Sequence, residues 1–129
     1  GAFSITISQR LGEEQADEAI CVVRKAERKH FMRDGSEQGY NYEMLAAPKR
    51  FKNMEPFIMH PPREFQENRF FEHPGEEFIL VLSGVVEIEF VNRRIELEAG
   101  DAIYFDAHLP HRSRSLGGKP AEAMVVVMG

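Results

Sequence analysis

Apolar and polar residues alternate along most of this chain in short runs, each closed by Gly, Pro or Asn, and that period of two predicts strands. Phe3, Ile5 and Ile7 share one face of Phe3 to Ser8. Ile20 to Arg24 is a second candidate strand, running into the charged stretch Lys25 to His30. Tyr40 to Leu45 and Met54 to His60 follow, the latter closed by Pro61-Pro62. Phe78 to Leu82 is continuously apolar, the pattern of a strand buried on both faces. Val85 to Val91 places Val86, Ile88 and Phe90 inward and Glu87 and Glu89 outward. Arg94 to Leu97, Ala102 to Phe105, Arg112 to Ser115 and Ala123 to Met128 complete the set, with turns expected at Ser83-Gly84, Asn92-Arg93 and Ala99-Gly100-Asp101. Gly100 is expected to take a positive φ. Helical periodicity is confined to the acidic stretch Glu13 to Ala19, too short to stand alone.

Many short strands without crossover helices predict an all-β sandwich or barrel. Residues 1–19 read as an N-terminal strand and a short acidic segment that packs on, or swaps with, a barrel formed by residues 20–129. With 129 residues the chain is one domain with a real core. Its net charge of −5 speaks against a general nucleic-acid surface. No apolar run reaches membrane-spanning length, so no membrane partner is expected. The single Cys21 cannot form an internal disulfide, and the cytoplasm is the expected compartment. Cys21 itself reads as a small hydrophobe among Ile20, Val22 and Val23.

Chemistry concentrates in two segments. One is His73-Pro74-Gly75-Glu76-Glu77, leading through Phe78 to Ser83 to Gly84. The other runs from Gly100 to His111. Together they resemble the two motifs of the cupin superfamily. His73 matches the second His of the first motif, Glu77 its Glu, and Gly84 its Gly, with six residues between them. Gly100 and His111 match the second motif, and 15 residues, Val85 to Ala99, separate the two. Phe71 stands where the first motif has its leading His. Asp106 and His108 stand where the second has Pro and Gly, and Ser115 where it ends in Asn.

The resemblance implies a double-stranded β-helix, that is, a jelly-roll barrel. It also implies a metal set of His73, Glu77 and His111. Four residues apart, His73 and Glu77 would share one face of an extended strand. Two imidazoles and a carboxylate suit Fe, Mn, Ni or Zn with open positions for substrate, and need neutral His and ionised Glu. Phe71 removes one ligand and narrows the site, and His108 is expected in a surface loop. Phe71 and Tyr104 are expected to line the ligand pocket beside the three polar residues. Glu55, Arg63 and Tyr42 are further candidates to reach that pocket, and a charged residue there would set the ligand's sign. His30 and His60 read as surface residues.

Three stretches, Val23 to Arg28, Gly39 to Leu45 and Met54 to Phe57, look like the region before the cupin motifs in bacterial regulators that join an XRE-type helix-turn-helix to a C-terminal cupin. The motif segments look like that class as well. This implies an effector-sensing domain for transcription regulation, acting as a homodimer and reaching DNA through an N-terminal domain outside the chain. The start Gly1-Ala2-Phe3, without an initiator Met, fits that expectation. The alternative from a different class is a stand-alone metal-dependent cupin enzyme, a dioxygenase or isomerase acting on a small acid. A storage-like role is disfavoured by the polar residues kept in the pocket.

Overall fold

The computed structural model describes residues 19–32, 39–65 and 69–129. The expected strand Phe3 to Ser8 and most of the acidic segment Glu13 to Ala19 lie outside them. Nine strands are present among the described residues: β1 (Lys29–Met32), β2 (Asn41–Met44), β3 (Met54–His60), β4 (Glu76–Ser83), β5 (Val85–Phe90), β6 (Arg93–Glu98), β7 (Ala102–Asp106), β8 (His111–Leu116) and β9 (Glu122–Met128). They form two antiparallel sheets, one in the order β1-β2-β3-β9-β4-β7 and one in the order β6-β5-β8. This is the two-sheet architecture expected of a jelly roll.

The core lies between the sheets and follows the alternation. Ile79 and Val81 of β4, Val86 and Ile88 of β5, and Val125 of β9 are essentially sealed from solvent. Each such side chain stabilises the fold by roughly 1.5–3 kcal/mol. Tyr42, Met59, Phe90, Leu97 and Phe105 pack around them. The continuous apolar run at Phe78 to Leu82 nevertheless resolves into two faces. Glu77, Ile79 and Val81 are buried, whereas Phe78 and Leu80 are half-buried and Leu82 is exposed. Only one face of β4 meets the opposite sheet, so the expectation of burial on both faces does not hold.

Two other boundaries move. Ile20 to Arg24 is unpaired chain, and a 3-10 turn at Lys25–Glu27 follows, closed by Glu27, whose carboxylate accepts the Arg24 N–H at 3.1 Å. The pairing strand is the charged Lys29–Met32, an exposed edge strand whose register on β2 (Lys29 opposite Met44) ends before Ile20 can find a partner. Lys29 puts one charge on this edge, beside the exposed Phe31 and Met32. The β5–β6 turn consists of Val91 and Asn92 rather than Asn92 and Arg93, because Phe90 pairs with Arg93. Cys21 is half-buried.

The edge of β8 that faces away from β5 is buried and must be satisfied. The Tyr40 hydroxyl does so twice at Ser113, donating to its carbonyl at 2.8 Å and accepting from its N–H at 2.7 Å. Pro62 accepts the Ser115 N–H at 2.7 Å. These bonds hold the small sheet to the chain entering β2 and leaving β3, and so fix one wall of the barrel. On the outer face of the small sheet, Glu87 pairs with Arg114 at 2.9 Å and Glu89 with Arg112 at 2.6 Å, across the strands.

Candidate metal centre

His111 opens β8 in the small sheet, and Glu77 lies in β4 of the large one, so the site spans the two layers. His73 belongs to no strand. Its segment is laced to the loop before β8: Phe71 and His111 exchange N–H···O bonds of 2.8 and 2.9 Å, His73 N–H donates to Ala107 at 3.0 Å, and Ala107 N–H donates to Gly75 at 2.9 Å. The chain then bends at Pro74-Gly75 and enters β4 at Glu76. Gly75 has φ +93°, and a Cβ there would lie 1.8 Å from the Met128 carbonyl oxygen, so only glycine fits this close crossing. His73 and Glu77 thus meet through a bend, not through strand alternation as the spacing suggested.

The His73 Nε2 lies 3.0 Å from Glu77 Oε1, and the His111 Nε2 lies 3.5 Å from the same oxygen. One ligand atom from each of the three residues falls within 4.8 Å of the others. Glu77 and His111 are buried, at 8% and 6% exposure, while His73 stands at the rim. The Nδ1 of His73 is 3.1 Å from the Pro74 carbonyl, and that of His111 is 2.6 Å from the Leu109 carbonyl. A carbonyl only accepts, so each Nδ1 carries the hydrogen. In the neutral rings both Nε2 lone pairs then face a carboxylate oxygen. Three electron pairs converging in a buried space call for a cation between them. Carbonyl-held Nδ1 atoms are also the usual way of orienting imidazole ligands. The residues therefore fit a divalent metal with a 2-His-1-carboxylate set.

A cavity of about 580 Å³ adjoins these residues. Phe71, placed there by the sequence, lines it, with its ring edge-on to Tyr40 at 5.3 Å. Tyr42, Phe57 and Glu55 line it as well. Arg63 does not border it: its guanidinium donates to the Gly117 and Gly118 carbonyls at 2.8 and 3.1 Å. Tyr104 departs from the expectation. It is 62% exposed on the outer face of β7, where its hydroxyl donates to Glu76. Inward Phe105 takes the core position beside it, since neighbours on a strand point to opposite faces. Phe105 packs against the His111 ring at 4.8 Å; the strand period puts Tyr104 and Phe105 on opposite faces without saying which of them points inward. His108 is exposed in the β7–β8 turn, as expected of a loop residue.

His60 is not a simple surface residue. It joins Glu43 at 2.6 Å and Glu122 at 3.9 Å on the outer face of β3 and its neighbours, with Arg28 on Glu43 at 3.3 Å. The hydrogen bond from His60, helped by Arg28, holds the Glu43 carboxyl below the usual carboxylate range despite the opposing cost of burial.

Among the described residues no helix is long and apolar enough to cross a membrane. No curated protein matches the chain. Solved structures do. A structure of Fe(II)-HppE with the alternative substrate (S)-1-HPP superposes with a TM-score of 0.71 at 22% identity, over 84% of this chain and 60% of that one. Hydroxypropylphosphonic acid epoxidase from S. wedmorenis gives 0.69 at 20% identity, over 84% and 59%. A conserved protein of unknown function from Streptococcus pyogenes gives 0.56 at 18% identity, over 72% and 76%. At these identities the likeness is one of fold, and the chain spans about 60% of the length of HppE. The family described as "Cupin domain" matches residues 57–127, from within β3 into β9, which is more than half of the sequence. This chain belongs to the cupin family.

Proposed function

We propose that this domain binds one divalent metal through His73, Glu77 and His111 and acts on a small organic molecule held in the adjoining cavity. The observation that carries the reading is the convergence of two Nε2 atoms and a buried carboxylate within 4.8 Å on the cavity wall. The metal, drawn from Fe, Mn, Ni or Zn, would supply Lewis acidity or, as iron, redox chemistry. The chain's own residues do the rest. The Pro74 and Leu109 carbonyls hold the imidazoles in the ligating tautomer. Phe71, Tyr42 and Phe57 exclude water and pack the organic body. With two protein nitrogens and one oxygen bound, positions remain for substrate, and the reaction class supported is oxygen-dependent oxidation or isomerisation. HppE, an Fe(II) protein by its description, lends the reading support through fold alone.

The test is elemental analysis after anaerobic loading with each metal. About one metal per chain is expected for the native sequence and almost none for His111→Ala or Glu77→Gln. Equal retention by all three proteins would sink the proposal. Oxygen uptake by the iron-loaded protein against a panel of small molecules then identifies the chemistry.

A second reading is favoured by the likeness of Val23 to Arg28, Gly39 to Leu45 and Met54 to Phe57 to regulators of the XRE type. Here the same cavity senses an effector, and a cytoplasmic homodimer passes the signal to DNA through a helix-turn-helix outside this chain. Such coupling requires the effector to bind the two states of the dimer with different affinity. DNA-binding shifts of the native polypeptide, with and without His111→Ala, test it. A response that survives the substitution excludes these residues from sensing.

A further inference from the structure

The registers of β3 on β9 and of β9 on β4 place Glu55, Val127 and Glu77 in one row across the large sheet. All three line the cavity. Glu55 therefore sits on the same sheet wall as Glu77, two strand spacings or about 10 Å from it. Beside it stand the rings of Tyr42 and Phe57, edge to face at 5.1 Å.

Carboxylates outnumber guanidinium and ammonium groups around this space. Glu55, Glu72 and Glu77 are its carboxylates. Among the described residues that border it Arg112 is the sole Lys or Arg, and its guanidinium is turned to the outer face. There Glu89 holds it at 2.6 Å, and it lies over the rings of Phe65 and Phe70 at 4.2 and 4.6 Å. Lys52 reaches Glu55 from outside the cavity wall, at 3.0 Å, while donating to the Ala46 carbonyl at 2.8 Å. It neutralises Glu55 in part, and Glu72 is exposed to solvent. In the metal-free cavity an anionic ligand would meet these carboxylates while the one bordering guanidinium, Arg112, is already bound to Glu89; a bound divalent metal would itself attract an anion, so the charge preference belongs to the metal-free cavity.

We infer that the ligand of this cavity is a small amine with an apolar, preferably aromatic, body: its ammonium is taken by Glu55 and its body by Tyr42, Phe57, Phe71 and Val127. The inference rests on the reading of His73, Glu77 and His111 as the inner end of the site, and it adds the substrate class. It sets this chain apart from the phosphonic acid named for the S. wedmorenis protein. Glu55 is here a binding residue, and Lys52 is its resident counter-ion, displaced in part when the amine enters.

The experiment is calorimetric titration of three matched probes, phenethylamine, 2-phenylethanol and phenylacetate, into metal-free and Zn(II)-loaded protein. Zinc uptake is measured on the same samples. In the metal-free form the amine is expected to bind roughly tenfold more tightly than the carboxylate, with the alcohol between; in the Zn(II) form the gap should narrow, because the carboxylate can also coordinate the metal. Glu55→Gln should remove most of that preference with unchanged zinc uptake, and Lys52→Met should increase it. Carboxylate binding equal to or tighter than amine binding in the metal-free protein overturns the inference. So does a Glu55→Gln variant that keeps the preference, or no amine binding at millimolar concentration. Absent zinc uptake with the amine preference intact sinks the metal reading alone. Normal uptake with no preference sinks this one alone.

Discussion

The imidazole of His73 and the carboxylate of Glu77 meet at 3.0 Å across a bend that Gly75 alone makes passable. Gly75→Ala would place a methyl group into the Met128 carbonyl and impose a positive φ on an L side chain. A loss of about 1–3 kcal/mol is expected, with weaker metal binding because His73 is displaced from Glu77. Thermal unfolding and a metal titration of the variant check this. An unchanged melting temperature would show that the chain reroutes around the crossing.

Tyr40→Phe keeps the ring but strips Ser113 of the hydroxyl that serves both its N–H and its carbonyl. Both groups are buried, so the expected cost is about 1–3 kcal/mol. Hydrogen exchange locates the effect: the Ser113 amide should lose protection more than the amides of β5.

Phe71→His tests what the absent third imidazole costs. Phe71 bridges to His111 through its backbone and lines the cavity. A histidine there is two residues from His73, on the same side of the segment, and adds a nitrogen to the set. Metal affinity should rise by about tenfold or more in competition titrations. A fall would show that the ring's packing on Tyr40 matters more to the site than an added ligand.

Acid should weaken the outer-face ion pairs. Burial pushes the Glu89 carboxyl up, but the hydrogen bonds from Arg112 and Arg94 outweigh it and hold it below the usual range. Glu43 is lowered by His60 and Arg28. A carboxyl whose folded value is depressed stabilises the fold fully above its unfolded value, near 4, and loses that contribution as the pH falls through the folded value. Glu89→Gln should therefore cost about 1 kcal/mol at pH 7 and progressively less below pH 4. Melting temperatures of the two proteins across that range check the convergence. A constant difference would mean that Glu89 acts through packing.

The sequence by itself determined the strand periodicity from β2 to β9, the turns at Gly84 and Gly100, and the spacing of His73, Glu77 and His111, which the fold then brings together. Each of these is local or lies in a fixed spacing: alternation is read between residues two apart, and Gly100 takes φ +94° because its own turn requires it. Cross-strand register was not legible in the same way. Tyr104 and Phe105 are both aromatic neighbours of a motif, and only the pairing of β7 on β4 sent Phe105 to His111 and Tyr104 to solvent. Ile20 to Arg24 has the composition of a strand but takes no strand pairing among the described residues, and Lys29–Met32 pairs with β2 instead. Arg63 and Glu55 were equal candidates for the cavity until the register put Glu55 in the row of Glu77 and turned Arg63 to the Gly117 and Gly118 carbonyls. A one-residue slip moves every side chain to the opposite face, so the sign of the charge inside this barrel was decided by sheet pairing between distant segments and not by any segment alone.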